Sequence, residues 1–307
     1  MDIRQEEENG AAAMNLPIGK IAFIWRLENC AKGNVPAIIA EVKRLGCTVV
    51  ALKVANGYRP WTGLETFVAA CHAAGLQVYG WHYLYAGVVF DKSGNWSNTA
   101  ITPEQEAAVS AQQVQALGLD GFIIDAEKEL KVSTQANRAR RYIQALKPRI
   151  TIPTGLSSYR FPTMHREFPW LEFLAGVDFH CPQVYWNPPA GTSFGPAPEL
   201  ERSCRELTTL AALPIIPIGR AYIGDGHPNP KPQEIADFLA KAGALSLPAA
   251  GFWALDFLYL HAGGQERADA IAAFDWGEPP EIVSWGWQVT NVLRKLGYPM
   301  TDPPEGI

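Results

Sequence analysis

LGLDGFIIDAEKEL, residues 117–130, decides how the rest of the chain is read. Leu117-Gly118 closes a helical stretch, because a Gly just past the last turn takes the left-handed conformation that ends a helix. Phe122, Ile123 and Ile124 then make a short apolar run of the kind that forms a buried strand, and the run stops at Asp125. Glu127 and Glu129 follow at alternate positions. A strand built for a core and ended by acids fits a barrel of alternating strands and helices, whose sites are assembled at the carboxyl ends of the strands.

Outward from this stretch the same alternation repeats. Strand-like runs at 21–27, 47–55, 76–85, 120–127, 150–156, 177–186, 214–222 and 250–257 are separated by amphipathic stretches. Those helical segments lie around 35–45, 64–74, 102–117, 134–147, 168–175, 197–211, 232–244 and 264–274. Strict alternation implies a parallel sheet, and eight units in about 250 residues match the closed (β/α)8 TIM barrel of the α/β class. The first strand is not followed by Gly-x-Gly-x-x-Gly, which weighs against an open dinucleotide-binding sheet.

The expected organisation is a single barrel domain over 20–276, preceded by a flexible leader, 1–19, and followed by a C-terminal extension, 277–307. In that extension Ile282, Trp285, Val289, Val292, Leu293 and Leu296 recur at helical spacing, so one extra helix is expected to dock by this stripe.

Of the 307 residues 48% are hydrophobic and 19% charged, a globular composition, and the net charge is −5. No basic field is present to hold a phosphate backbone, so nucleic acid and anionic membrane surfaces are excluded as partners. Five scattered cysteines without C-x-x-C spacing argue against a disulfide framework and a structural zinc site. The acidic start lacks the basic end and apolar stretch of a signal peptide, and no apolar run reaches membrane-spanning length. Synthesis in the cytoplasm is expected, without a cofactor and without a metal.

Residues two apart on a strand share a face and lie about 6.6 Å apart along it, so Asp125 and Glu127 are expected to point together into the mouth of the barrel. Phe122, Ile124 and Ala126 then face the helices. The corresponding positions of other strands supply Lys53; Trp81, His82 and Tyr83; Gln183, Tyr185 and Trp186; Arg220 and Tyr222; Trp253 and Asp256. Aromatic faces around a few convergent charges suit a bulky polar ligand such as a sugar. A carboxylate pair suits cleavage of a glycosidic bond, with Glu127 as the acid and Asp125 as its electrostatic partner. Glu129 is read as a solvated loop residue, and Lys53 has the alternative of a plain ion pair with Asp125.

On these residues the chain resembles barrel glycosidases. ALKVANGY (51–58), VYGWHYLY (78–85), FIIDAEKE (122–129), PQVYW (182–186) and GFWALDF (251–257) are similar to the strand ends of family 25 lysozymes. That resemblance implies a peptidoglycan substrate, Glu127 as the catalytic acid, Asp125 as its companion and action on a cell wall after release, as by a phage endolysin. Family 25 enzymes also carry an Asp on strand 1, where this sequence offers Trp25, Arg26 and Glu28. The chain further resembles family 18 chitinase-like barrels, whose strand 4 reads Asp-Gly-x-Asp-x-Asp-x-Glu. Asp120, Gly121, Asp125 and Glu127 are in register with that motif, with Ile123 in place of the middle Asp, and Tyr185 and Trp253 match the tyrosine of strand 6 and the tryptophan of strand 8. Here the resemblance implies that Asp125 positions a substrate acetamido group.

The expected function is therefore hydrolysis of a β-linked, N-acetylated glycan, peptidoglycan or chitin-like. Two alternatives are a barrel that binds glycan without cleaving it and a metal-dependent hydrolase using His82, His180 and Asp256. His-x-His and His-Glu-x-x-His are both absent, which disfavours the last.

Overall fold

A computed structural model of the chain describes residues 16–90, 93, 95–131, 135–186, 195–224, 228–277, 290 and 292–297. Eight parallel strands close into a barrel: β1 Gly19–Ile24, β2 Cys47–Asn56, β3 Gln77–Leu84, β4 Gly121–Ala126, β5 Thr154–Tyr159, β6 Phe179–Gln183, β7 Ile218–Arg220 and β8 Ala249–Trp253. Each strand pairs with the next, and β1 closes the ring by pairing with both β2 (Ile21 to Val49) and β8 (Gly19 to Ala249). Around them run α1 Val35–Arg44, α2 Glu65–Ala73, α3 Pro103–Leu117, α4 Ala136–Leu146, α5 Trp170–Leu174, α6 Pro196–Leu210, α7 Pro232–Ala244, α8 Leu255–Leu260 and α9 Gly264–Ala273.

Local chemistry fixes the approach to β4. Thr102 caps α3 by accepting from the Gln105 amide at 3.3 Å, while the Gln105 side chain accepts from the Thr102 amide at 2.8 Å. This reciprocal pair satisfies two helix-end donors that would otherwise lack partners. Gly118 ends the helix at φ 61°, in the left-handed region that a side chain disfavours. Gly121 starts β4 where an added Cβ would lie 2.0 Å from the ring of Tyr79, so only Gly lets that ring cross the barrel floor.

The alternation along β4 sorts its side chains into two layers. Phe122, Ile124 and Ala126 pack with the helices in the outer core, while Ile123 joins Phe23, Val49, Tyr79, Phe179 and Ile218 inside the barrel. Leu16, 2% exposed, belongs to the inner layer too, so the barrel takes in residues that the sequence reading gave to the leader. The first 15 residues lie outside the described ones. At the other end Val292 and Leu296 are buried in the outer core, whereas Ile282, Trp285 and Val289 fall outside the described residues. All five cysteines are buried and unpaired, and no described helix is long and apolar enough to cross a membrane.

Strand ends differ from the sequence reading in several places, β6 stopping at Gln183 and β7 at Arg220, and three further differences stand out. β1 stops at Ile24. β5 begins at Thr154 and runs on through Ser157 and Ser158 to Tyr159, residues whose polarity resembles a loop. β8 stops at Trp253, and the following LDFLYL turns into α8. The last two differences decide which side chains reach the mouth of the barrel.

Candidate active site

A cleft of about 760 Å³ opens at the carboxyl ends of the strands, within the size range of small-ligand sites. On its floor β4 presents Asp125, and the residue after the strand's end presents Glu127. Gln183, at the end of β6, ties the two together: its Nε2 donates to Asp125 Oδ1 at 3.0 Å and to Glu127 Oε1 at 2.8 Å. Ser157, paired in register with Asp125 across β4 and β5, donates its hydroxyl to Asp125 Oδ1 at 3.1 Å.

Burial raises the Asp125 carboxyl well above the usual range, and the nearby Glu127 charge raises it further; the Ser157 and Gln183 donors and the Lys53 charge oppose this. Burial likewise raises Glu127, against the Gln183 donor and the Lys128 and Lys53 charges. Two like charges served by one amide nitrogen do not both ionise readily, so the pair is suited to sharing a proton.

Lys53 reaches the same floor from β2 but forms no ion pair with Asp125 or with any other described carboxylate. Its ammonium lies 4.6 Å from the ring centre of Trp81, 5.5 Å from Trp61, 5.7 Å from Tyr83 and 5.8 Å from Trp25. Burial lowers its pKa to about 8, partly offset by the charge of Asp125.

The walls are aromatic. Trp253 meets Trp81 edge-on at 5.0 Å and lies at 6.4 Å from Trp25 in a stacked arrangement, and Tyr185 meets Tyr222 edge-on at 5.5 Å. Tyr83 lines the cleft and donates its hydroxyl to Glu129 Oε2 at 2.9 Å. Glu129 is thus corrected from a solvated loop residue to a cleft carboxylate only 3% exposed, because the short helical turn Lys128–Leu130 folds it back under Tyr83. Burial raises its pKa as well.

Of the residues expected here, Asp125, Glu127, Lys53, Trp81, Tyr83, Gln183, Tyr185, Tyr222 and Trp253 line the cleft, and four others do not. His82 lies on the opposite face of β3 from Trp81, fully buried against α3 and α4, with Nδ1 2.7 Å from Ser110 Oγ and burial pushing its pKa down to about 3. Trp186 lies outside the cleft against Phe238 of α7, at 5.3 Å. Arg220 is buried with its guanidinium 5.1 Å from the Tyr222 ring and does not line the cleft. Asp256, fully buried on α8 because β8 ends early, accepts from the Trp25 amide at 3.3 Å, so it secures the chain after β1. Glu28 is exposed beside Arg26, and Trp25 occupies the cleft at the strand-1 position.

Sequence reasoning missed Ser157 and Phe257 as cleft residues and misplaced Glu129. The metal-dependent alternative loses its ligands, since His82 and Asp256 are turned away and His180 Nε2 lies 3.1 Å from the Ala211 carbonyl. Among the described residues there is no cluster of three metal-ligating side chains.

No protein-family model and no curated protein matches the chain. Solved structures do. The PgaB (BpsB) glycoside hydrolase domain from Bordetella bronchiseptica matches with a TM-score of 0.59 at 14% identity, over 84% of this chain and 100% of that one. The spore cortex-lytic enzyme SleL of Bacillus cereus gives 0.59 at 10% identity, over 84% and 75%. A mutant family 18 chitinase from Cycas revoluta in complex with (GlcNAc)4 gives 0.57 at 11% identity, over 82% and 99%. The shared feature is the fold, a TIM barrel of the kind found in glycoside hydrolases. The family 18 side of the sequence resemblance has a counterpart among these structures; the family 25 side has none.

Proposed function

We propose that the protein is a glycoside hydrolase of a β-linked, N-acetylated glycan, peptidoglycan or chitin-like. One observation carries the reading: a single Gln183 amide holds Asp125 and Glu127 together on the floor of an aromatic-walled cleft. Structural likeness to a chitinase bound to (GlcNAc)4 and to a spore cortex-lytic enzyme supports the glycan class.

In this reading Glu127 holds the proton and gives it to the leaving glycosidic oxygen as the C–O bond breaks. Asp125 orients the substrate acetamido group, whose carbonyl oxygen attacks the anomeric carbon from the other face. Water then opens that cyclic intermediate, with Glu127 taking the proton back. The faces of Trp253 and Trp25, both half-buried in the cleft, supply apolar surface for sugar rings.

The test compares wild type with Glu127→Gln on chitin oligomers and peptidoglycan, scoring new reducing ends. Loss of the acid is expected to lower kcat by about 10²–10⁴-fold while oligosaccharide binding persists. Equal product from both proteins removes Glu127 from the reaction. Binding without product from wild type, across the whole panel, replaces the hydrolase with a glycan-binding barrel.

A further inference from the structure

Lys53 is the unusual group on the cleft floor. A lysine that is 6% exposed ordinarily has a carboxylate partner, yet this one is held by the faces of aromatic rings supplied by the residue after β1, by β3 and by the loop after β2. Such faces attract a cation through their quadrupoles and screen it far less than water does. The field of the ammonium is therefore felt at some distance, and Asp125 and Glu127 line the same cleft as Lys53 and are placed to feel it.

We propose that Lys53 is a positioning residue for the acid pair: caged by aromatic rings instead of neutralised by a salt bridge, it supplies the counter-charge that lets one of Asp125 and Glu127 stay ionised while the other holds the proton. A direct salt bridge would tie the cation to one carboxylate and occupy oxygens that the substrate needs. An ammonium held back by indole faces biases both carboxyls and occupies neither. This inference rests on the pair being the reactive centre, and it concerns the pair's protonation, which is measurable without substrate.

The other charged and titratable groups around Lys53 set the background. Arg26, following β1, works against its charge. Tyr83 of β3 keeps its proton, since burial and the carboxylates raise its pKa far above the usual range. Glu129 is engaged by that tyrosine's hydroxyl. Lys128 adds positive charge next to Glu127. With Lys53 lowered to about 8, its counter-charge is present at neutral pH and fades above that value.

The experiment follows the side-chain carboxyl ¹³C signals of Asp125 and Glu127 through a pH titration of the substrate-free protein, assigned with Asp125→Asn and Glu127→Gln. Wild type is compared with Lys53→Met, which keeps the stem and removes the charge, and with Lys53→Arg, which keeps the charge. In Lys53→Met the first ionisation of the pair is expected to move up by about one pH unit or more. In Lys53→Arg it is expected to stay at the wild-type position, and the small step expected of wild type near pH 8, where Lys53 loses its charge, to be absent. An unmoved midpoint in Lys53→Met, or equal movement in both variants, overturns the proposal. If Lys53→Met does not fold, Lys53→Gln serves the same comparison. A protein that shows these shifts yet cleaves no glycan loses the hydrolase reading and keeps this one.

Discussion

Replacing Gln183 with Leu removes the one amide that serves both carboxylates, at 3.0 Å to Asp125 and 2.8 Å to Glu127, and keeps a side chain of similar reach. A hydrogen bond to a charged acceptor contributes about 1.5–3 kcal/mol. The lower end applies here, because Ser157 still donates to Asp125 and the Tyr83 hydroxyl still favours the Glu127 anion. At about 1.4 kcal/mol per pKa unit, the loss amounts to roughly one unit. Its sign follows from what the amide does: its N–H bonds favour the ionised carboxyls and lower both pKa values, so removing them raises both. The pH profile of kcat/KM is then expected to move bodily to higher pH by about one unit. Below the optimum the variant loses about tenfold, and above it the loss vanishes or reverses. The assay is reducing-end release from a chitin oligomer at a series of pH values, with a thermal melt to establish folding. A profile that stays in place, or a loss equal at every pH and confined to KM, refutes the assignment of Gln183 as the link between the acids.

Other outcomes follow from the same contacts. The Asp125 carboxyl is raised in the fold, so the native state retains a proton that the unfolded chain releases near pH 4; stability is fuller at low pH and declines as pH rises through that window. Asp125→Asn is therefore expected to melt above wild type at pH 7, with the gap closing toward pH 4, and a gap that is constant with pH contradicts this. Ser110→Ala leaves the buried His82 Nδ1 and Tyr142 hydroxyl without the oxygen they share at 2.7 and 2.8 Å. A cost of about 1–3 kcal/mol is expected, lowering Tm by about 2–4 °C for each kcal/mol, with KM unchanged because these groups lie behind the barrel wall; a changed KM with no loss of Tm would reverse that placement.

The barrel and the acid pair were legible because both depend on period. Eight alternations of strand and helix leave few other architectures, and alternation along β4, once Phe122 and Ile124 are given to the helices, turns Asp125 to the cleft side, where Glu127 follows just past the strand's end. His82 shows where that logic needs care: it is adjacent to Trp81 in sequence and so lies on the opposite face of β3, with Ser110 as its partner. Trp186, which follows Tyr185 past the end of β6, likewise lies against a helix. Side chains next to one another at a strand's end do not share a destination.

Asp256, Ser157 and Glu129 were beyond the sequence for a different reason. Their positions depend on where β8 stops, how far β5 continues and how the turn after Glu127 folds, and each of these is set by contacts with distant parts of the chain. Asp256 leaves the cleft to hold the Trp25 amide 231 residues away. Ser157 enters it through its register with Asp125. Glu129 is drawn in by the hydroxyl of Tyr83. The sequence by itself determined the period of the elements, and so the barrel and the strand that carries the acids. Only the tertiary structure decided which polar groups meet above that strand, because closing a barrel joins strand ends whose register no local pattern encodes.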